Sequence, residues 1–260
     1  MTRLALVVVP FFLAERHLRL AGEMLASVKT RYPLDTLAMI NAFRSEADLA
    51  WLREKFAHVE PNDRNNLSRA WNKGIRLAFE RGADYVIVAN ADLVFHPLCI
   101  DNLVACAQAE PDAVIWSTAR WHDPITFERA RLEPRSVFDF DWSCFMVDRR
   151  LFAEVGEFDE GFNPAYFEDL DMTRRIILAN RRSARCRAAL ILHREAGTIR
   201  GLIDCADDEV PGAVEFLKRL RGFLDVNEAR YARKWGGGQS RETFTVPFNG
   251  LPEDPPNGVA

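Results

Sequence analysis

Two short apolar runs constrain this chain more than any other feature. Leu4 to Val9 and the Asp84–Ala89 run DYVIVA are continuous and rich in β-formers, without the alternation of a strand that has one wet face. Strands of that kind are covered on both sides, and the cover comes from helices. The neighbouring segments supply them. Glu15 to Thr30 repeats Leu18, Leu20, Met24, Leu25 and Val28 at helical spacing, and Glu46 to Phe56 reads as a second helix. Asn65 to Arg81 reads as a third, with Trp71, Ile75, Ala78 and Phe79 on its apolar stripe. Further strands are expected at Leu34 to Asn41 and Ala113 to Ser117, with a helix at Asp101 to Gln108. Strands alternating with helices in this way predict an α/β fold with a mostly parallel, doubly wound central sheet flanked by helices.

The second half changes character. Ser117 to Asp141 is irregular and charged and contains Trp121 and His122. A strand is expected at Trp142 to Val147, a short helix at Arg149 to Val155, a turn at Gly156 to Asp159 and a strand at Ala188 to His193. Before that last strand comes an aromatic and acidic run, Ala165 to Asp171, leading into a helix that ends near Ala179. Pro211 to Trp235 reads as mainly helical, and Gly236-Gly237-Gly238 breaks it. This divides the chain into an α/β domain over 1–205, a mainly helical extension packed on it over 206–248, and a tail over 249–260 predicted to be disordered.

Composition removes several function classes. A chain of 260 residues with 48% hydrophobic and 28% charged residues has ample core for one large domain. A net charge of −4 argues against bulk nucleic-acid binding. Five cysteines, odd in number and without CxxC spacing, read as reduced thiols in a cytosolic compartment. The apolar start contains Pro10 and no small-x-small cleavage site, so it reads as a buried strand and not an export signal. No apolar stretch approaches the roughly 18 residues of a membrane-spanning helix.

In an open parallel sheet, ligands bind beyond the carboxyl ends of the strands. Asn90 and Asp92 sit there on the DYVIVA strand, where an acid can hold a hard divalent cation against a diphosphate; a plain turn is the alternative. Glu168, Asp169 and Asp171 form a second acidic cluster ahead of a helix. Part of it serves as a cap, worth about 0.3–1 kcal/mol per charge, but three carboxylates in four positions exceed what a cap requires. Crowded carboxylates raise one another's pKa, a usual route to a general acid or base. His193 closes the last strand at the same edge, as a ligand or as a structural histidine. Trp142, with Asp139 and Asp141, reads either as a platform for a sugar ring or as a core tryptophan entering a strand.

Two blocks carry a family resemblance. One runs from Asn72-x-Gly74-Ile75 through Gly82-Ala83-Asp84-Tyr85-Val86 to Asn90-Ala91-Asp92; the other from Cys144-Phe145-Met146-Val147 through Phe158-Asp159-Glu160 to Tyr166-Phe167-Glu168-Asp169-Leu170-Asp171. Over about residues 4 to 200 the chain resembles the inverting, family-two type of glycosyltransferase with the GT-A fold, as in bacterial rhamnosyl- and galactofuranosyltransferases. His193 follows Asp169 by 24 residues, similar to the spacing of the metal-binding histidine in bacterial relatives, and Tyr231 to Gly236 looks like a C-terminal feature of some members.

The resemblance implies roles. Asp92 would bind Mg²⁺ or Mn²⁺ bridging the donor diphosphate, with His193 as second ligand. Asp169 would be the general base, with Glu168 and Asp171 shaping its field. Pro10 and Phe11 would line the base pocket, and Asn41, Asn66 (with Asn65), Asn72 and Asn90 would lie on the donor side. Trp142, Asp141 and Tyr166 would meet the sugar or acceptor. The implied partners are a UDP- or dTDP-sugar and a glycan or lipid-linked acceptor of polysaccharide biosynthesis, on the cytoplasmic side and at the inner face of the membrane. One departure stands out. Asn90 replaces the first acid of the D-x-D motif, so one carboxylate fewer is expected to lower cation affinity.

The arginines at 174, 175, 181, 182, 185 and 187 read as a solvated helix face and loop, with contact to an anionic lipid surface as the alternative. There is no Gly-x-Gly-x-x-Gly after a strand and no Gly-x-Ser-x-Gly elbow, which disfavours nicotinamide and α/β-hydrolase chemistry. Two rivals remain. A sugar nucleotidyltransferase would need a Gly-rich N-terminal loop that Pro10-Phe11-Phe12 does not supply. A non-catalytic nucleotide- or glycan-binding module fits Asn90, but not the joint presence of Asp92, the acidic cluster and His193.

Overall fold

The computed structural model describes residues 1–11, 15–121, 124–127, 141–193 and 213–253. His122, Asp139, Cys205 and positions 254–260 of the expected tail lie outside them. The strands are β1 (Leu4–Val8), β2 (Leu34–Ile40), β3 (His58–Pro61), β4 (Tyr85–Ala89), β5 (Leu93–Phe95), β6 (Ala113–Trp121), β7 (Asp141–Val147) and β8 (Arg182–His193). The helices are α1 (Glu15–Ser27), α2 (Glu46–Lys55), α3 (Leu67–Glu80), α4 (Cys99–Ala109), α5 (Glu168–Leu178) and α6 (Ala213–Trp235). The expected short helix at Arg149 to Val155 is present, with π-helical geometry over Leu151–Val155.

The eight strands among the described residues form one sheet in the order β3-β2-β1-β4-β7-β6-β8-β5. The half from β3 to β4 is parallel, as the apolar runs predict, and every residue of β1 is buried between helical layers. The other half is mixed. β7 runs antiparallel to both β4 and β6, while β8 is parallel to β6 and antiparallel to β5. β6 and β4 therefore point the same way, and so does β8.

Helix α3 lies very close to the sheet. A Cβ built on Gly74 would come within 2.4 Å of Val7 Cγ1 and 2.9 Å of Met39 Cγ, so only glycine permits this approach. Next to it, Trp71 meets Phe145 and Phe158 edge-on at 5.3 and 5.0 Å between ring centroids, which ties α3 to β7 and to the turn after the π-helical segment.

Several expectations change. The acidic cluster is the first turn of α5 itself and does not precede it. Cys106 on α4 and Cys186 on β8 form a disulfide with Cα atoms 5.8 Å apart, so the reading of five reduced thiols does not hold. Cys99 and Cys144 are buried and outside the disulfide. The start of the expected disordered tail is ordered: Pro247–Gly250 forms a 3₁₀ turn, and Glu253 pairs with Arg230. The arginine stretch is solvated at Arg181, Arg182 and Arg187, while Arg174, Arg175 and Arg185 are partly buried. Arg174 donates to the Phe244 carbonyl, Arg175 pairs with Asp171, Arg181 with Glu154 and Arg182 with Glu110. Among the described residues, no helix is long and apolar enough to cross a membrane.

Candidate active site

Strand direction gathers the candidate residues at one edge of the sheet. β1, β2, β3, β4 and β8 all end there, bringing Pro10 and Phe11, Asn41, the 62–66 loop, Asn90 to Asp92, and His193 to that side. Because β7 runs the opposite way, its beginning, Asp141 and Trp142, lies there too; the backbone N–H of Asn90 donates to the Ser143 carbonyl at 2.9 Å. The N-terminus of α5 joins the same edge through the start of α3, where the Leu67 N–H donates to the Pro164 carbonyl at 2.8 Å.

Asp92 and His193 face each other. The β5–β8 pairing sets Leu93 beside His193, and His193 Nε2 lies 3.3 Å from Asp92 Oδ1, with both side chains about nine-tenths buried. Two ligands each about 2.1 Å from one cation stand about 3.0–3.4 Å apart at ordinary coordination angles, so this pair fits a shared divalent ion. His193 Nδ1 is buried without a hydrogen-bond partner. Among the described residues, no third His, Cys, Asp or Glu completes a cluster with them.

The carboxylates of α5 divide into two kinds. Glu168 is buried with Oε2 unpartnered; burial, then the Asp169 charge, push it up to about 8. Asp169 is half-buried and also raised by burial, while its Oδ1 accepts from the Leu170 N–H at 2.8 Å. Burial thus disfavours charge on both neighbours, and more strongly on Glu168. Asp171 is different. It is wholly buried and accepts from Arg175 Nε (2.8 Å), Lys234 Nζ (2.6 Å) and Trp235 Nε1 (2.9 Å). That set of bonds makes Asp171 an anchor for α6.

The backbone leading to Glu168 is strained. Tyr166 and Phe167 have φ of 78° and 74°, left-handed values that cost non-glycine residues on the order of 1–3 kcal/mol each. Burial, then the Glu168 charge, raise the Tyr166 hydroxyl.

On the donor side, the Pro10 carbonyl accepts from the Asn41 N–H at 3.0 Å, and Phe11 bridges to Ala42. Asn41 Oδ1 accepts from Asn62 Nδ2 at 2.7 Å. The other two asparagines are engaged within the protein. Asn66 caps α3 by accepting from the Arg69 N–H at 2.9 Å, and its Nδ2 donates to the Glu160 carbonyl at 2.8 Å. Asn72 exchanges two bonds with Phe158, donating to its carbonyl (2.8 Å) and accepting from its N–H (2.9 Å). Both amides brace the 158–164 segment. Trp142 is partly buried with its ring edge-on to Phe145 and Phe158, so the core reading describes it; Asp141 is placed by β7 alone.

Sequence reading passed over Asn62 and Asn227, and took Asp159 only as part of a turn and of the Phe158-Asp159-Glu160 motif. Asp159 accepts from Lys234 Nζ at 2.6 Å and Arg230 Nη2 at 3.0 Å. Burial alone would raise this carboxyl, but Lys234 and Arg230 outweigh burial and hold it at about 2. The one visible signal was Lys234-Trp235 inside the Tyr231–Gly236 segment.

Residues 7–156 match the glycosyl transferase family 2 domain. The chain belongs to glycosyl transferase family 2. The N-acetylglucosaminyl-diphospho-decaprenol L-rhamnosyltransferase of Mycobacterium tuberculosis is 31% identical over 147 residues, covering 44% of this chain and 48% of that protein. The chain thus spans about half the length of the curated relatives it matches. Among solved structures, the mannosyltransferase PcManGT of Pyrobaculum calidifontis, in complex with GDP-Man and Mn²⁺, superposes with a TM-score of 0.53 at 16% identity, covering 77% of this chain and 60% of that one. S. aureus TarS gives 0.55 at 14% identity over 88% of this chain and 45% of its own. GalNAc-T7 with UDP, GalNAc and Mn²⁺ gives 0.55 at 14% identity, covering 74% of this chain and 44% of that one. These likenesses show the GT-A fold.

Proposed function

We propose that this chain transfers a glycosyl group from a nucleotide-diphosphate sugar, a UDP- or dTDP-sugar, to a hydroxyl of a glycan or lipid-linked acceptor, with inversion. The observation that carries the reading is a half-buried Asp169 at the head of α5, beside the buried Glu168 and at the sheet edge where Asp92 and His193 meet. In this reading Asp169 takes the acceptor hydroxyl proton as the acceptor oxygen bonds to the anomeric carbon. The bond from that carbon to the diphosphate oxygen breaks, and its electron pair leaves with the diphosphate. General-base help of this kind contributes about 10²–10⁴-fold.

Asp92 Oδ1 and His193 Nε2 are the residues that would hold a Mg²⁺ or Mn²⁺ ion. Such an ion would supply Lewis-acid stabilisation to the leaving diphosphate. Asn90 offers a carbonyl oxygen there but no charge. Pro10, Phe11 and Asn41 form the donor side, and Tyr166 lies on the acceptor side. The Mn²⁺ and nucleotides named with PcManGT and GalNAc-T7 support a nucleotide-diphosphate sugar donor, and the name of the mycobacterial relative supports a lipid-linked acceptor. Residues 1–205 would carry the site, with 206–248 packed against it.

The test is a thermal-shift panel of UDP, dTDP, GDP and CDP, each with Mn²⁺ and with EDTA. It is followed by transfer assays with the matching sugar nucleotides, dTDP-rhamnose first. Ligand at a hundredfold excess over Kd stabilises by about 2.7 kcal/mol. A metal-dependent shift for one nucleotide, with transfer lost in Asp169→Asn, is expected. Full transfer by a folded Asp169→Asn variant would remove Asp169 as base. A nucleotide shift without transfer to any acceptor would favour the non-catalytic binding module that Asn90 suggests.

A further inference from the structure

The left-handed residues Tyr166 and Phe167 stand directly before Glu168 and Asp169, so their backbone sets where both carboxyl groups point. Strain of this kind persists only where the surroundings over-determine it. Helix α6 supplies that constraint. Asn227, 1% exposed, donates Nδ2 to the Ala165 carbonyl at 2.9 Å and to the Tyr166 carbonyl at 3.2 Å. The phenol ring of Tyr231 packs on Phe167 at 5.8 Å, and Lys234 and Trp235 hold Asp171 one turn further on. These four residues of α6 grip the chain on both sides of Glu168-Asp169 while forming no hydrogen bond or ion pair to either carboxylate among the described contacts.

We propose that Asn227 is a positioning residue for Asp169: its two amide N–H groups fix the strained 165–167 backbone and so aim the base. This makes α6 part of the catalytic architecture, and it rests on the reading of Asp169 as general base. A misplaced base lowers the rate of the chemical step without weakening donor binding, because Asn227 does not lie among the donor-side residues.

The experiment compares Asn227→Leu and Asn227→Asp with the unaltered chain, using the UDP- or dTDP-sugar that the unaltered chain turns over. Asp169→Asn runs in parallel, and Leu52→Ala, a buried core change on α2, is the control for stability loss. The expected result is a kcat loss of about ten- to a hundredfold with donor KM held within about threefold, and a displaced acidic limb of the kcat–pH profile. Leu52→Ala, assayed well below its Tm, should keep its kcat. Wild-type kcat in Asn227→Leu, or a loss that Leu52→Ala matches, overturns the proposal while an inactive Asp169→Asn leaves the base reading standing. An active Asp169→Asn overturns the base reading, and this proposal with it. If Asn227→Leu does not fold, Asn227→Asp of the same shape decides; if neither folds, Asn227 is a folding determinant and the proposal fails.

Discussion

Trp235 donates its indole N–H to Asp171 Oδ1 over 2.9 Å, with both side chains wholly buried. The same carboxylate accepts from Arg175 and Lys234, so its charge is compensated from α5 and from α6. Removing one partner of a buried ion pair leaves the remaining charges uncompensated and costs about 3–5 kcal/mol. Asp171→Asn is therefore expected to lower unfolding free energy by that order in urea titration. A loss below about 1 kcal/mol would show that the anchor is not energetic.

The Asp92–His193 pair predicts a two-ligand cation site. Asp92→Asn or His193→Ala should weaken Mn²⁺ binding, measured by calorimetry with UDP or dTDP present, by at least about tenfold. Unchanged affinity in both variants would place the cation elsewhere.

Glu168 predicts a pH dependence of stability. Its folded value of about 8 lies above the 4.5 of an unperturbed glutamate. The unfolded chain loses this proton from about pH 4.5 upward, whereas the folded chain keeps it to about 8. The contribution is whole below the lower value and drains away as pH climbs to the upper one. Glu168→Gln keeps the shape and removes the titration. Its stability relative to the unaltered chain should rise between those pH values by on the order of 5 kcal/mol, then stay level. A difference that does not vary with pH would contradict the burial argument.

Gly74→Ala tests the close approach of α3 to β1 and β2. Alanine is the better helix former by about 1 kcal/mol, but the added methyl meets Val7 and Met39 and overpacks the core at a cost of about 1–3 kcal/mol. A net loss of up to about 2 kcal/mol is expected in thermal or chemical unfolding. A stabilised variant would mean that the helix can move off the sheet.

The parallel half of the fold was legible because β1 and β4 are apolar on both faces, which only a helix-covered sheet explains. β3 and β5 were not. His58–Pro61 is an edge strand with no fully buried residue, and Leu93–Phe95 is three residues long after a turn-like Asn90-Ala91-Asp92. The opposite sense of β7 depends on the connection before it, which has no periodicity to read. Within the site, residue types were legible and partners were not. Nothing in the sequence shows that the amides of Asn66 and Asn72 bind segments 86 to 97 positions away. Asn227 gave no signal at all, because its meaning lies in two carbonyls 61 and 62 positions upstream.

The disulfide between Cys106 and Cys186 fastens β8, the strand that ends in His193, to α4 by a covalent bond. The opposite wall, with Tyr166 to Asp169, is fastened by carboxylate–ammonium and carboxylate–guanidinium contacts through Asp159, Asp171, Lys234 and Arg230. The two walls of the cleft thus answer to different agents. A reductant would loosen the side that carries His193, whereas acid, as pH falls from the ordinary carboxylate range to about 2, would loosen the side that carries Asp169.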